Sequence, residues 1–388
     1  MKLAVRPLEN KDNIEAICAI FQEKEMLTTN YANSRDIWDF QYVNNPEKRS
    51  WSTLIYDQED NQILGHFGVI PFPVRMGTKI IEGGCVSGLA ISKKAEGKSI
   101  TQNGKPVFAV YSLIEQCCKK VFEDKIDLIF NYSRIAPAFW KGLQFKQLSF
   151  VRVETWHLLP SDLYKQYVGE LQQRVNGYLK IFIRPYAFAL TVVQQILKCT
   201  RGVNQSLGLS HVAVTEFKEF DRDIEQVVEA FDRENQDVTT FDRRTDFLNW
   251  RFHSNAFSKF KFIADGRLIG YCILFGSDMY DFIILKSYFF RIPEILNAVA
   301  VRSTFRFRHY LSCAYSRRVF VESAKQGYQM FFTFGEIIRN KFNKEVREPA
   351  FYYKTNTLSP LAGEIEQKLN MEEGWLINPL FYGPRYFK

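Results

Sequence analysis

The sequence contains one internal repeat, and this repeat limits the possible folds more than any other feature. Segments that begin at Ile14 and at Ile224 align with a constant offset of 210 positions over residues 14–45. The matched positions are Ile14 with Ile224, Ile17 with Val227, Phe21 with Phe231, Asp36 with Asp246, Phe40 with Trp250, Tyr42 with Phe252 and Asn45 with Asn255. Further along, Gly65 aligns with Gly270 at the entry to a strand, with an offset of 205 because the second half has five fewer residues in the loop between. Because one register holds across the segment, two lobes of similar construction are favoured over a chance likeness between two α/β segments.

Each half is predicted to begin with a helix, an aromatic segment and a pair of strands. In the first half, strands are expected at Leu3–Arg6, Trp51–Tyr56, Ile63–Pro71, Lys79–Ser92 and Ile126–Tyr132, and again from Phe145. Helices are expected at Pro106–Glu123, which has an apolar face, and near Pro137–Gly142. In the second half, strands are expected at Gly327–Gly335 and in the segment EPAFYYKT, with a helix through Lys341 between them. This order indicates an α+β fold with a mixed central sheet, flanked by helices, in each lobe.

The 388 residues are enough for two domains joined by a connector. We expect a first lobe at residues 1–160, a helical connector at 161–208 and a second lobe at 209–388. In the connector, Leu179–Leu197 is largely apolar but is interrupted by Lys180, Arg184 and Pro185. A spanning helix needs about 20 mostly apolar residues, so this helix is expected to pack between the lobes or to lie weakly on a membrane surface. A monomer is expected, because the two lobes can pair within one chain.

The composition favours a cytoplasmic protein with an anionic ligand. The formal net charge of +8 suits an anionic cofactor or substrate. The seven cysteines are scattered without a Cys-x-x-Cys pair, and no secretory signal opens the chain, which favours reduced thiols. The five histidines lack the spacing of metal ligands, so no metal site is expected. The segment Val301–Arg318 mixes arginine with aromatic residues, and for it we favour a solvated basic helix face over a nucleic-acid site.

Three stretches of the sequence resemble the GNAT superfamily of N-acyltransferases. The resemblance is closer to its bacterial members with two lobes, several of which act in polysaccharide biosynthesis. The stretch ILGHFGVIPFPVRMGTKIIEGGCVSGLAISKKAEGKS is similar to the hairpin, central strand and coenzyme A loop of that family. The stretch DLIFNYSRIAPAFWKGLQF is similar to its strand–helix–strand element, and FLNWRFHSNAFSKFKFIADGRLIGYCIL opens the second lobe. The resemblance implies acetyl-CoA or another acyl-CoA as the donor.

The resemblance also implies a coenzyme A site in the first lobe. A pyrophosphate is best held by backbone N–H groups at a helix N-terminus, and its close approach to the backbone favours glycine. Two loops meet this description, with candidate residues Gly97, Lys98 and Ser99 in one and Gly104 and Lys105 in the other. By resemblance, the pantetheine arm pairs with the strand segment Leu89, Ala90 and Ile91. Asn131, at the end of the next parallel strand, either reaches the arm or thioester or caps the following turn.

Acyl transfer needs a neutral amine, a polarised thioester carbonyl and a proton for the leaving thiolate. By resemblance, the transfer is direct within a ternary complex, and Glu82 is the candidate base. Trp140 occupies the position of the family's acidic tyrosine, and an indole cannot protonate a thiolate. Tyr132 or water is therefore the expected acid. Cys85 has no paired base and is expected to be a buried structural cysteine.

The second lobe has the segment LKSYFFRIPEILNAVAV, without glycine, where a phosphate loop would stand. We expect this lobe to bind no coenzyme A and to complete an acceptor pocket between the lobes. The favoured function is N-acyl transfer, in particular N-acetylation, to a small polar amine such as an amino sugar. Two alternatives are a FemAB-type transferase that uses aminoacyl-tRNA and a degenerate pair of lobes that serves as a binding module.

Overall fold

A computed structural model describes most of the chain. The described ranges are 1–24, 34–133, 137–148, 153–157, 177–189, 212–275, 278–292, 306–310 and 350–369, with a few further positions between 164 and 192 and between 294 and 299. The predicted strand Gly327–Gly335 and the helix through Lys341 lie outside them. In the described part of the chain, no helix is both long enough and apolar enough to cross a membrane.

The described strands and helices follow one another in a mixed order. The strands of the first half are β1 (Leu3–Pro7), β2 (Trp51–Asp57), β3 (Ile63–Pro71), β4 (Val74–Met76), β5 (Lys79–Ile81), β6 (Gly83–Ile91), β7 (Ser99–Gln102), β8 (Lys105–Phe108), β9 (Leu128–Ser133), β10 (Lys146–Gln147) and β11 (Val153–His157). Those of the second half are β12 (Ala213–Phe217), β13 (Thr239–Phe241), β14 (Phe257–Ala264), β15 (Arg267–Phe275), β16 (Asp278–Ile284), β17 (Arg306–Tyr310) and β18 (Ala350–Thr355). The α-helices with described bounds are α1 (Ile14–Glu23), α2 (Ser34–Trp38), α3 (Ala109–Glu123), α4 (Pro137–Gly142), α5 (Arg222–Glu234), α6 (Thr245–Arg251) and α7 (Ala362–Leu369).

The two large sheets have corresponding strand orders over six strands, and the first sheet has a seventh strand, β10. The first runs β1-β2-β3-β6-β9-β18-β10, and the second runs β12-β14-β15-β16-β17-β11. In both sheets the fourth and fifth strands are parallel, and the other neighbours are antiparallel. Two mixed sheets with flanking helices confirm the expected α+β fold, and their similar strand orders agree with the expectation of two lobes.

Each sheet receives its sixth strand from the other half of the chain. β18 pairs with β9 in the first sheet, and β11 pairs with β17 in the second. A small third sheet joins β13 to β4 and β5. Backbone hydrogen bonds therefore run between the two halves at three places. The division of the sequence at 1–160, 161–208 and 209–388 stays a prediction, and both large sheets draw strands from both sides of it.

The repeated aromatic segment lies where the two halves meet. Phe40 and Trp250, which are equivalent in the sequence repeat, stack with ring centroids 4.9 Å apart. The indole N–H of Trp250 donates a hydrogen bond to the carbonyl oxygen of Phe40 at 3.0 Å. Contact between equivalent positions of two similar units indicates an approximate twofold axis at this point.

Helices α3 and α4 cover one face of the first sheet. Residues three or four positions apart share a helix face, and α3 buries Leu113, Ile114, Cys117 and Val121 on the face that packs on β1, β2 and β3. α4 lies at the other side of the same face, where Trp140 packs on β18. In the sheet order, the junction of β6 and β9 falls between the strands covered by these two helices.

The helix predicted from Pro106 begins instead at Ala109. β7 and β8 form a hairpin, and its two-residue turn, Asn103 and Gly104, has φ values of 51° and 75°. Two positive φ values are typical of a type I′ turn, which strongly favours Asn-Gly. The prediction is wrong because two local signals conflict at this point. Pro106 favours the start of a helix, whereas the Asn-Gly turn just before it favours a hairpin. The hairpin forms, and Pro106 is part of its second strand, β8.

Two further predictions of secondary structure are corrected. The strand expected over Lys79–Ser92 divides at Glu82, because β5 pairs with β4 in the small sheet whereas β6 pairs with β3 in the first sheet. Of the basic segment Val301–Arg318, only residues 306–310 are described. They form the strand β17, paired with β11, and not a helix.

Candidate functional site

The parallel strands β6 and β9 are paired at one end and separate at the other. The paired positions are Gly83 with Leu128, Gly84 with Ile129 and Cys85 with Phe130. β6 then continues to Ile91 and β9 to Ser133, and within the described ranges no further pairs join them. The first sheet is therefore open between these strands from Val86 onward. We call this opening the β6–β9 cleft.

A bulge at Gly88 bends β6 beside the cleft. β6 has one extra residue there in its register against β3, in which His66 pairs with Ala90 and Gly68 pairs with Ser87. Gly88 has a φ of 66°, and a Cβ there would lie 2.4 Å from the hydroxyl oxygen of Tyr42, so only glycine fits. Nδ1 of His66 lies 2.8 Å from the carbonyl oxygen of Gly88. Because a bulge increases the local twist, it contributes to the separation of β6 from β9.

The predicted pantetheine-binding residues Leu89, Ala90 and Ile91 form the end of β6 beside the cleft. Leu89 and Ile91 are partly buried against the core beneath α3, and Ala90 is buried in the core on the opposite face. The strand edge that they form is the one from which β9 has separated. Their contact with a ligand stays a prediction, but they lie where a ligand in the cleft would run.

The loop after β6 brings Gly97 and Lys98 close to the N-terminus of α3. Gly97 has a φ of 69°, and a Cβ there would meet no atom within 4 Å, so its backbone is open to approach. The N–H of Ala109, the first residue of α3, donates to the carbonyl oxygen of Lys98 at 3.0 Å. Phe108, the N-cap of α3, makes no side-chain hydrogen bond to the first turn. The loop and Ser99, exposed at the start of β7, therefore lie near the positive end of the helix dipole.

The other predicted phosphate loop, Gly104 and Lys105, belongs to the β7–β8 hairpin. The type I′ turn accounts for Gly104 without any ligand. The helix N-terminus expected beside this pair is absent, because α3 begins four residues after Lys105. Of the two predicted loops, only the one with Gly97 is hydrogen-bonded to the start of α3.

Three polar side chains lie near one another on the face of the sheet that α3 and α4 cover. Asn131 on β9 is buried, and its cross-strand partner on β18 is Tyr352, so the two side chains share a face. The ring of Tyr352 stacks on Trp140 with centroids 5.9 Å apart and an interplanar angle of 29°. The indole N–H of Trp140 is buried and has no hydrogen-bond partner among the described residues.

Tyr352 is the functional candidate that sequence reasoning missed. Burial raises the pKa of its phenol above the ordinary value, so the group stays protonated near neutral pH and can donate a hydrogen bond. The available signal was only the predicted strand EPAFYYKT, and nothing in that segment indicates that it pairs with β9. Tyr132, the predicted acid, is described only through its backbone, which pairs with Phe351. The position of its side chain lies outside the described residues.

Glu82 lies at the closed end of the cleft, three residues before Cys85, where the last pair joins β6 to β9. Its carbonyl oxygen accepts a hydrogen bond from the N–H of Asp127 at 2.8 Å. Its carboxylate is exposed and forms an ion pair with Arg49. The role of Glu82 as a base stays a prediction, and at this position it can act only through water or on an acceptor that reaches the surface.

Cys85 is buried where β6 and β9 meet. Burial raises the pKa of its thiol to about 12, and its Sγ donates to the carbonyl oxygen of Val86 at 3.6 Å. A neutral thiol is a poor nucleophile, so the structure agrees with a structural role for Cys85. Over the described ranges, no group of His, Cys, Asp and Glu is arranged to hold a metal ion.

Aromatic rings connect α3 to α4 above the cleft. The ring centroids of Tyr111 and Phe139 are 5.2 Å apart, and those of Phe108 and Tyr111 are 6.3 Å apart. A Cβ at Gly142 would lie 3.1 Å from the ring of Tyr111, which shows how closely the two helices approach. We call Phe108, Tyr111 and Phe139 the aromatic bridge. A ligand that enters the cleft from this face must displace these rings or pass beside them.

Solved structures share this fold, although the sequence matches no family model and no curated protein. A conserved protein of unknown function from Enterococcus faecalis V583, described as a probable N-acyltransferase, superposes with a TM-score of 0.55 at 10% identity, over 93% of this chain and 74% of that one. A GCN5-related N-acetyltransferase from Anabaena variabilis gives a TM-score of 0.53 at 9% identity, over 92% and 74% of the two chains. Another from Kribbella flavida gives 0.50 at 9% identity, over 92% and 72%. At such identities the likeness concerns the fold, and it confirms the expected GNAT fold.

Proposed function

We propose that the protein is an N-acyltransferase that takes its acyl group from acyl-CoA. The observation that carries this proposal is the β6–β9 cleft, in which the edge of β6 has separated from its neighbour beyond Cys85. The pantetheine arm contains amide groups, which can pair with a strand edge as an added strand would. The fold supports the proposal, because structures with this fold are described as N-acyl- or N-acetyltransferases.

The residues around the cleft fit the other parts of coenzyme A. The open backbone at Gly97, next to Lys98 and the N-terminus of α3, suits a diphosphate. Lys93 and Lys94 in the same loop add positive charge. The buried amide of Asn131 lies on β9, on the other side of the cleft from β6, where it can bond the pantetheine arm.

The chemistry follows from what the donor supplies, a thioester whose carbonyl carbon an amine can attack. The acceptor nitrogen forms a bond to that carbon, the carbon–sulfur bond breaks, the nitrogen loses a proton and the sulfur gains one. The indole N–H of Trp140, which has no partner among the residues that the structure describes, donates a hydrogen bond to the carbonyl oxygen as negative charge develops there. Tyr352 gives its hydroxyl proton to the leaving sulfur and later recovers a proton through water. Glu82 accepts the amine proton through water.

The second lobe supplies the acceptor side of the site. β4 and β5 precede Glu82, and β4 pairs with β13 of the second half, so the closed end of the cleft borders that lobe. After β16 the chain forms the 3₁₀ turn Lys286–Arg291, which has no glycine and so offers no equivalent of the Gly97 loop. The acceptor class that we assign is a small polar amine such as an amino sugar, with N-acetyl transfer as the reaction.

The substitution Gly97→Asp tests the donor site. A carboxylate at this position repels the diphosphate, so titration calorimetry should show affinity for acetyl-CoA at least about tenfold weaker than in the wild type. Gly266→Asp is the matched control, because Gly266 also lies in an open turn, with a φ of 72° and no atom within 4 Å of an added Cβ. Equal affinities of the two variants for acetyl-CoA, or no binding of acetyl-CoA by the wild type, would contradict the assignment of the donor site.

A binding module without catalysis is the second candidate, and the aromatic bridge favours it. Tyr111 and Phe139 connect α3 to α4 above the cleft, and Trp140 stands at the position of the family's acid. Such a module would bind coenzyme A or a related ligand and would release no thiol in the presence of amines. For the tRNA-dependent alternative, the described part of the basic segment Val301–Arg318 is the strand β17, which pairs with β11 and gives that alternative no specific support.

A further inference from the structure

A short segment of the connector exposes several large apolar side chains together. Ile181 is 74% exposed, Phe182 65%, Phe188 64%, Tyr186 39% and Val192 39%. The other exposed large apolar residues of the described chain are spread along the sequence and are Met1, Val43, Ile80, Phe108, Phe290 and Leu358. Scattered exposed apolar residues are normal, whereas a contiguous group of them marks an interaction surface.

The helical geometry of the segment shows why these side chains face outward. A 3₁₀ turn at Gly177–Phe182 is followed by helical residues 183–189. Ile183, Ala187 and Thr191, four positions apart, are buried and form the stripe that faces the protein. The other positions from 180 to 192 whose side chains are described face away from the protein, where a helix on a water-facing surface would carry polar residues. We call these outward positions, 180–182, 184–186, 188, 189 and 192, the 177–192 face.

Positive charge accompanies the apolar side chains. Lys180 and Arg184 are exposed within the 177–192 face. The sequence from 171 to 215 contains no aspartate or glutamate, and its basic residues are Arg174, Lys180, Arg184, Lys198 and Arg201. The surface is therefore both apolar and cationic, with no nearby acidic residue in the sequence to balance the charge.

We propose that the 177–192 face docks on an anionic lipid membrane. Aromatic and aliphatic side chains flanked by lysine and arginine are what a helix lying in a membrane interface presents. The apolar side chains enter the boundary of the acyl chains, and Lys180 and Arg184 bind lipid phosphates. A second copy of the chain is a poor occupant, because a symmetric contact would bring the same positive charges together.

Sedimentation of the full chain with vesicles tests this assignment. The protein should bind vesicles that contain phosphatidylglycerol, less strongly at high salt, and should bind vesicles of phosphatidylcholine alone much more weakly. The double variant Lys180→Gln with Arg184→Gln should bind anionic vesicles about thirtyfold more weakly. Phe182→Ser with Phe188→Ser should weaken binding at least about tenfold. Leu358→Ser is the control, because Leu358 is 89% exposed and lies outside the segment.

Three results would overturn the proposal. These are no binding to anionic vesicles, equal binding to neutral vesicles, and equal binding by both double variants and the wild type. Light scattering provides a further test, since a dimer that becomes a monomer on Phe182→Ser with Phe188→Ser would show that a second copy covers the face. Membrane docking by the 177–192 face and the proposed acyl transfer are independent of each other. Titration of acetyl-CoA into the same variants therefore tests the two proposals separately.

Discussion

At the scale of single residues, the chemistry of the cleft centres on Trp140 and Tyr352. The indole at Trp140 cannot supply a proton, but it is unpartnered among the described residues and stacks on a buried phenol. By resemblance, the sequence predicts Asn131 and the Gly97 loop as part of one site, and it gives Trp140 no role there because an indole cannot act as the acid. It does not predict Tyr352, because the approach of this residue depends on a strand pairing between distant parts of the chain.

The substitution Tyr352→Phe should lower kcat for acyl transfer by about a hundredfold, the effect typical of losing a general acid. The dissociation constant for acetyl-CoA should stay nearly unchanged, because the ring remains stacked on Trp140. Since burial raises the pKa of Tyr352 above its ordinary value of about 10, this group should cause no fall in the wild-type rate until the pH exceeds that value. Steady-state kinetics across pH, together with calorimetry, measures all three effects.

Tyr353→Phe is the matched control for this experiment. Tyr353 is the next residue on β18, and it is buried in the core on the opposite face of the sheet. If kcat falls equally in both variants, the loss reflects damage to β18, and Tyr352 is not the acid. An unchanged kcat in Tyr352→Phe would lead to the same conclusion.

At the scale of elements, local patterns predict what contiguous residues form, and they fail where two signals compete. The apolar period of α3 is visible in the sequence and the helix ends at Glu123 as expected, and β3 occurs with the expected bounds, Ile63–Pro71. The start of α3 is displaced because Asn103 and Gly104 form a hairpin turn ahead of it. The strand β18 is predicted as a strand, but a local pattern carries no information about which neighbour it will pair with.

The hairpin gives a prediction at this scale. Gly104→Ala places a side chain at a φ of 75°, which costs an L-residue about 1–2 kcal/mol. Hydrogen exchange should therefore show faster opening of β7 and β8, while affinity for acetyl-CoA stays within about twofold of the wild type. A large loss of affinity without faster exchange would instead assign the phosphate site to Gly104 and Lys105.

At the scale of the whole molecule, the sequence repeat predicts two similar lobes, and the two large sheets agree with it because their strand orders correspond over six strands. The sequence does not predict that β11 and β18 each pair in the sheet of the other half. The local pattern of each strand would be equally compatible with pairing in the sheet of its own half. The exchange has a functional consequence. It places Tyr352, from near the end of the chain, beside a cleft that the first half builds.

The structure of crystals grown with acetyl-CoA tests the central claim most directly. We expect the pantetheine arm to lie in the β6–β9 cleft along Leu89, Ala90 and Ile91, with the diphosphate at Gly97. Tyr111 and Phe139 should then be moved apart from their present distance of 5.2 Å. An acetyl-CoA molecule bound elsewhere, or an intact aromatic bridge over an empty cleft at saturating acetyl-CoA, would contradict the assignment of the donor site.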